Sequence, residues 1–141
     1  MSGSLLDTNV LSEFSRTGAP DHQVDQWLGS QPEESLFASV LTFAEILRGI
    51  ELLPAGKRRT QLEEWLTDLQ TAFAARLLPV TKAIADRWAI LSAQAQLRGR
   101  PLANIDGLLA ATALEHDLIL VTRNVKHFAE SGVKLFNPWE A

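Results

Sequence analysis

Three carboxylates of this sequence lie in apolar surroundings, where an ionised side chain is costly unless it is paired or bound to a cation. Asp7 ends the apolar run SLL, Glu45 lies within LTFAEILRGI, and Asp106 lies within LANIDGLLAATAL. Most of the other acidic residues have polar neighbours and are predicted to lie on the surface. Because carboxylates without a histidine or cysteine cluster suit hard cations, the three acids indicate Mg²⁺ or Mn²⁺ rather than zinc.

A second set of polar residues follows two apolar runs that are typical of buried strands. Thr8 and Asn9 come directly after SLLD, and Thr122, Arg123 and Asn124 follow the apolar run LILV. In layered α/β folds, ligands bind beyond the carboxyl ends of the strands. We therefore expect the two strand ends to face one pocket, where Thr8, Asn9, Thr122 and Asn124 orient the carboxylates or position water.

Predicted strands alternate with predicted helices along the chain, which favours an α/β layered fold with a mostly parallel sheet. Apolar runs predict strands over residues 4–6, 36–40, 77–80, 118–121 and 134–136. Helical periodicity predicts helices over residues 8–15, 42–53, 58–75, 82–97 and 105–116, and a short helix capped by Asp21. Gly18 and Pro20 are predicted to end the first helix.

Each of the three acids also has an ordinary structural interpretation, and these alternatives stay open. Asp7 is a preferred type of helix N-cap, and Asp106 stands where a first-turn acid favours the helix dipole. Glu45 precedes Arg48 by three residues and is suited to an ion pair with it. Against that, helical spacing puts Glu45 on a small and apolar face that points inward or toward a cleft, formed by Ala38, Leu41, Gly49 and Leu52.

Length and composition bound the class of protein. The 141 residues suit one domain, spanning 1–141, and a hydrophobic content of 46% is enough for a core. The sequence has no cysteine, no signal-peptide pattern, and no apolar run near the roughly 20 residues of a membrane span. We therefore expect a soluble, cytoplasmic protein. The net charge of -4 does not by itself indicate a nucleic-acid partner, so such a function must rest on a cation-filled acidic site.

Four segments of the chain together resemble one known family. They are LLDTNVLSE, LTFAEILRGI, IDGLLAATALEHDLILVTRNVKHF and the closing LFNPW. In this order and spacing, from Leu5 to Trp139, they resemble a PIN-domain ribonuclease, and more narrowly the VapC-type toxins of bacterial VapBC toxin–antitoxin pairs. The resemblance implies a three-layer α/β/α sandwich with a mostly parallel central sheet, and a Mg²⁺- or Mn²⁺-dependent endoribonuclease.

The same resemblance assigns roles to the polar residues. Asp7, Glu45 and Asp106 match the first three acids of the family and would be its metal ligands, and Thr122 matches a threonine or serine near the metal. Where the family often carries a fourth acid, this chain has Asn124. Because Asn124 has no charge, it would complete the catalytic set by holding a cation-bound water, or it would leave a second cation weakly bound.

Contacts to the RNA are expected from Thr8, Asn9 and Thr122 and from basic residues near the site. Arg123 is the closest of these in the sequence, and further candidates are Lys126, Arg98 and Arg100. Another departure from the family lies nearby, because His127 occupies a position where an aspartate often precedes the phenylalanine. By resemblance, a metal-activated water attacks the phosphodiester and leaves 5′-phosphate and 3′-hydroxyl ends.

The resemblance also implies partners. They are an RNA substrate, a VapB-type antitoxin and a second copy of the chain in a homodimer, while operator DNA would be contacted only through the antitoxin and no membrane is involved. A surplus of apolar residues on predicted helices, which often marks a partner surface, agrees with the antitoxin. Those residues are Leu52, Leu53, Leu62, Trp65 and Leu69.

Two other functions compete with the nuclease. A catalytically weak PIN-like module that binds RNA or protein is favoured only by Asn124. An aspartate-nucleophile phosphatase would also place an acid after its first strand, but that chemistry needs a second acid two residues later, where this chain has Asn9.

Overall fold

The computed structural model describes residues 3–15 and 21–141. Within these ranges five strands form one parallel sheet in the order β3-β2-β1-β4-β5. The strands are β1 (Ser4–Leu6), β2 (Leu36–Ser39), β3 (Leu77–Leu78), β4 (Ile119–Val121) and β5 (Leu135–Phe136). The helices are α1 (Thr8–Leu11), α2 (His22–Ser30), α3 (Val40–Glu51), α4 (Lys57–Phe73), α5 (Lys82–Leu97) and α6 (Asn104–Glu115).

Successive residues of each strand face opposite sides of the sheet, as the pleat of a strand requires. Leu6 of β1 belongs to a core shared with α1, α2, α3 and α4, and Leu5 belongs to a second core shared with α5 and α6. In β4, Val121 belongs to the first of these cores and Leu120 to the second. Helices therefore cover both faces of a parallel sheet, and the predicted three-layer α/β/α sandwich is confirmed.

The order of the strands determines where a site can form. β1 is the central strand, and the chain moves from it to β2 and β3 on one side and then to β4 and β5 on the other. The gap between β1 and β4 is therefore a topological switch point, beyond which α/β sheets bind their ligands. Since Leu6 pairs with Val121, the next residue of each strand, Asp7 and Thr122, emerges at this point.

The predicted elements agree with the structure except near their ends. The first predicted helix, residues 8–15, is shorter: α1 ends at Leu11, and a 3-10 turn continues over Ser12–Ser15. The helix predicted over 42–53 starts earlier, at Val40, because the hydroxyl of Ser39 caps it by accepting from the backbone N–H of Leu41. The predicted break at Gly18 and Pro20 lies outside the described residues.

Within the described ranges, no helix is long and apolar enough to cross a bilayer.

One close approach fixes how α6 packs on α5. Gly107 is buried in the first turns of α6, and a Cβ atom placed on it would lie 2.8 Å from Cδ1 and 3.0 Å from Nε1 of Trp88 on α5. Only a residue without a side chain leaves room for the indole ring. Because Gly107 adjoins Asp106, this packing also sets the position of that carboxylate.

The variant Gly107→Ala is expected to lower the stability of the fold, although alanine is the better helix former. The helical preference favours alanine by about 1 kcal/mol, whereas overpacking against the indole ring costs about 1–3 kcal/mol. Thermal unfolding monitored by circular dichroism should therefore show a lower melting temperature.

Gly49→Ala is the matched control for that experiment. Gly49 is exposed on α3, and a Cβ atom there would meet no heavy atom within 4 Å. Alanine should then stabilise the protein by about 0.5–1 kcal/mol. Equal and favourable shifts in both variants would contradict the close contact between Gly107 and Trp88.

Candidate active site

Asp7 and Thr122 meet at the switch point between the two central strands. The hydroxyl of Thr122 donates to Oδ2 of Asp7 at 2.8 Å, and both residues are buried. The backbone N–H of Asp7 also donates to the carbonyl of Val121 at 2.9 Å, continuing the pairing of the strands. The strand register therefore holds this carboxylate in place from two directions.

The second oxygen of Asp7 has a structural partner as well. Oδ1 accepts from the backbone N–H of Thr8 at 2.7 Å, and Asp7 is the N-cap of α1. The capping interpretation is thus confirmed, and it leaves the site interpretation open, because the same carboxylate starts the helix and lies at the switch point. Each oxygen accepts one hydrogen bond from the protein, which leaves further lone pairs for another ligand.

Glu45 joins this group through a side chain of α1. The hydroxyl of Thr8 donates to Oε1 of Glu45 at 2.6 Å, so one short helix orients two acids. Glu45 is half-buried at the border of the buried face of α3. The alternative ion pair with Arg48 is wrong, since no ion pair joins the two among the described residues.

The predicted face of the helix around Glu45 is partly wrong. Ala38 belongs to β2 rather than to the helix, and both Gly49 and Leu52 are exposed. Helical spacing predicts the direction of Glu45 only approximately, because α3 begins at Val40 and Ala38 lies before its first turn. The buried face of α3 consists of Thr42, Phe43, Ile46 and Ile50.

Asp106 lies in the first turn of α6, as its ordinary interpretation predicts, and its charge also interacts with that of Asp7. Burial raises the pKa of Asp106, and the negative charge of Asp7 raises it further. His127 opposes these effects, with its Nδ1 3.7 Å from Oδ2 of Asp106. The charge of Asp7 therefore acts on Asp106 across the end of the sheet.

The loop after β4 carries the remaining predicted site residues. The backbone N–H of Asn124 donates to the hydroxyl of Thr122 at 3.0 Å, and that of Arg123 donates to Oδ1 of Asn9 at 3.3 Å. Asn9 therefore fastens the two strand ends to each other. The side chain of Asn124 is exposed and has no hydrogen bond to the described part of the chain.

Two neighbours of the site did not follow from the sequence pattern. His127 contacts Asp106, and the guanidinium of Arg123 lies over the ring of Trp139, 5.0 Å from its centroid. The sequence marks His127 only as a departure at a family position, and Trp139 only as part of the closing motif. Neither contact has a signal in the local spacing, because each joins distant parts of the chain.

The donor atoms of the site suit a hard divalent cation, and the like-charged pair of Asp7 and Asp106 gives a reason for one to bind. Across residues 3–15 and 21–141, however, no three His, Cys, Asp or Glu side chains are arranged closely enough to hold a metal ion together. Mg²⁺ keeps several waters and commonly binds a protein through one or two carboxylates. Two of the three acids would be enough to hold such a cation, with the third acting through a bound water.

Comparisons with known proteins agree with this geometry. The PIN domain matches residues 4–132 of the chain. A protein named VapC ribonuclease Y4jK, from Sinorhizobium fredii, is 39% identical over 137 residues, which cover 96% of this chain and 97% of that one. Toxin FitB from Neisseria gonorrhoeae is 39% identical over 136 residues, with coverage of 96% and 97%.

Solved structures give the same result. The crystal structure of FitAcB from Neisseria gonorrhoeae superimposes with a TM-score of 0.90 at 38% identity, covering 98% of this chain and 99% of that one. A structure of FitAB bound to an IR36 DNA fragment has a TM-score of 0.89 at 37% identity, with coverage of 96% and 95%. With the sheet order, the acids at the switch point and these similarities in agreement, the chain belongs to the PIN-domain family.

Proposed function

We propose that this chain is a Mg²⁺- or Mn²⁺-dependent endoribonuclease and the toxin of a toxin–antitoxin pair. The observation that carries the nuclease is the hydrogen bond between Asp7 and Thr122 at the switch point, with Asp106 near enough to feel the charge of Asp7. The names of the relatives, a VapC ribonuclease and a FitB toxin, support the reaction and the biological role.

Each residue of the site then has a task. Asp7 and Asp106 hold the divalent cation, Thr122 and Thr8 fix the orientation of the carboxylates, and Glu45 acts through water. When bound, the cation would polarise the scissile phosphate and lower the pKa of water. It would also offset the repulsion between the acidic site and the phosphates of the RNA.

The remaining polar residues lie where they can contact the RNA. Arg123 is exposed beside the site, and Asn124 presents an unbonded amide there. We assign both to the substrate side, with Asn124 holding water in place of the fourth acid. The expected products are a 5′-phosphate and a free 3′-hydroxyl.

Incubation of total RNA with the purified protein tests the reaction, with cleavage ends mapped by sequencing. We expect discrete cuts with 5′-phosphate ends in Mg²⁺ or Mn²⁺, and no cuts with EDTA or in the variant Asp7→Asn. The variant removes one of the two charges that bind the cation while its amide oxygen can still accept from Thr122.

Two other outcomes have clear meanings. Cutting that persists in Asp7→Asn would come from a contaminating nuclease. Absence of cutting at every metal concentration would instead favour a PIN-like binding module, which agrees with the uncharged Asn124 and with the lack of a three-residue metal cluster in the described chain.

The variant Asp106→Asn should be more stable than the parent protein in metal-free buffer, and it should be inactive. Its amide avoids the cost of burying a charge beside Asp7. Because the folded protein holds the proton on Asp106 more tightly than the unfolded chain does, this site loses stability as the pH rises through its raised pKa. The difference in melting temperature between Asp106→Asn and the parent protein should therefore be largest at neutral pH and vanish in acid. A difference that stays constant with pH would contradict the raised pKa of Asp106.

A groove that contains none of the candidate site residues suits the antitoxin. Leu62 and Trp65 pack against the core, so most of the predicted apolar stripe is ordinary packing, while Leu52 is 69% exposed. Between α2 and α4, however, lies a cavity of about 590 Å³. Its apolar wall includes Leu28, Trp65, Leu69 and Phe73. Its charged residues are Asp25, Asp68 and the ion pair of Glu33 with Arg76, so its net charge is negative.

An apolar groove with acidic edges fits an amphipathic helix that carries basic residues at its borders. We assign this groove to the antitoxin, and the similarity of this chain to the structure of FitAB bound to DNA supports a partner protein of that class. A homodimer, and operator DNA bound only through the antitoxin, complete the expected assembly, and light scattering of the purified pair would measure its stoichiometry.

The variant Ala72→Glu should escape the antitoxin while it keeps its toxicity. Ala72 is exposed in the groove, so a glutamate places a charge against the bound apolar helix without disturbing the core. Co-expression with the antitoxin should then fail to rescue growth. Ala75→Glu is the control, because Ala75 is exposed close by but does not line the groove; equal rescue of both variants would exclude this surface.

A further inference from the structure

A separate cavity, of about 220 Å³, lies beside His127, the neighbour of Asp106. It opens between the end of α5 and the 3-10 turn Val125–Phe128, and three basic side chains line it: Arg98, Arg100 and Lys126. His127 lines it too and connects it to the site, since His127 Nδ1 is 3.7 Å from Asp106 Oδ2.

A glycine at the end of α5 brings the arginines to this cavity. Gly99 has a φ of 76°, and the backbone N–H of Arg100 turns back to the carbonyl of Ala95 at 3.0 Å. This is the usual way in which a glycine ends a helix. The chain therefore reverses directly after Arg98 and presents Arg98 and Arg100 on the same side.

The carboxylate of Glu130 forms ion pairs with both arginines. Glu130 Oε1 lies 2.6 Å from Nη1 of Arg100, and Glu130 Oε2 lies 3.5 Å from Nε of Arg98. Lys126 has no ion pair with the described part of the chain. Three cations against one carboxylate leave the cavity with two positive charges when His127 is neutral, in a protein whose net charge is -4.

The ion pairs are weak enough to be exchanged. The side chains of Arg98, Arg100 and Glu130 are 44%, 73% and 45% exposed, and exposed pairs of this kind contribute little stability. A phosphate group offers the arginines an equivalent anionic partner and gains Lys126 in addition. A phosphate of an RNA chain is therefore able to replace the carboxylate of Glu130.

We propose that this basic cavity binds a backbone phosphate of the RNA beside the scissile bond, and that Glu130 holds the two arginines until the phosphate displaces it. The inference rests on the proposed ribonuclease function and adds where the strand lies: it runs from the acids past His127 toward the end of α5. Glu130 acts as a competitor that weakens RNA binding.

The test measures binding of a labelled single-stranded RNA of about 12 nucleotides by fluorescence anisotropy, at several salt concentrations. All proteins carry Asp7→Asn so that the RNA stays intact. Arg100→Gln and Lys126→Gln should each weaken binding about threefold or more and reduce the slope of log affinity against log salt by about 0.7. Glu130→Gln should tighten binding about two- to fivefold.

A second ion pair of the same helix provides matched controls. Arg87 on α5 pairs with Glu115 on α6 at 3.2 Å, with side chains that are 45% and 32% exposed, and neither lines the cavity. Arg87→Gln and Glu115→Gln change the net charge by the same amounts and should leave affinity within experimental error of the parent.

Each result decides the matter. If Glu115→Gln tightens binding as much as Glu130→Gln, net charge alone is responsible and the inference is overturned. If the protein with Asp7 restored cuts RNA but the cavity variants bind unchanged, the nuclease stands and the inference falls. If the protein with Asp7 restored neither binds nor cuts RNA, the proposed nuclease function and the inference about the cavity are both wrong.

Discussion

The pairing of β1 with β4 is the interaction on which the rest of this molecule depends. It brings Asp7 beside Thr122 through the register of Leu6 with Val121, so a single backbone alignment positions the first acid. A shift of one residue would turn every strand side chain to the other face of the sheet and would exchange its two cores. The same alignment therefore fixes both the packing and the site.

The site contains an electrostatic repulsion, between Asp7 and Asp106, that has no counterpart in the apolar core. Like charges interact at the carboxyl end of the sheet. Burial adds to the cost of ionising Asp106, and both effects raise its pKa. Proteins commonly accept such local costs where chemistry is done, and offset them through packing elsewhere. Here the packing includes Gly107 against Trp88, which holds the third acid firmly although its charge is unfavourable.

Much of the fold could be predicted because its signals are local. The short apolar runs predicted the buried strands, and Asp21 was correctly predicted to cap α2, where it accepts from two backbone N–H groups. The three acids stood out because each interrupts an apolar segment. What failed was the face of α3 and the ion pair of Glu45 with Arg48, since the partner of Glu45 is Thr8, from another helix. The contact of His127 with Asp106 and the ion pairs of Glu130 with Arg98 and Arg100 depend on how loops meet, which periodicity does not encode.

The bond between Thr122 and Asp7 joins residues separated by 115 positions, across almost the whole described chain. Contacts of such long range form late, because the loop that they close must first lose its entropy. As a ribosome makes this chain, β1 can pair with β2 early, but Thr122 follows Asp7 by 115 residues and emerges long after it. All three acids are thus made before the strand end that completes their arrangement, so the nascent chain passes through an interval in which the acids are present but the site is not assembled.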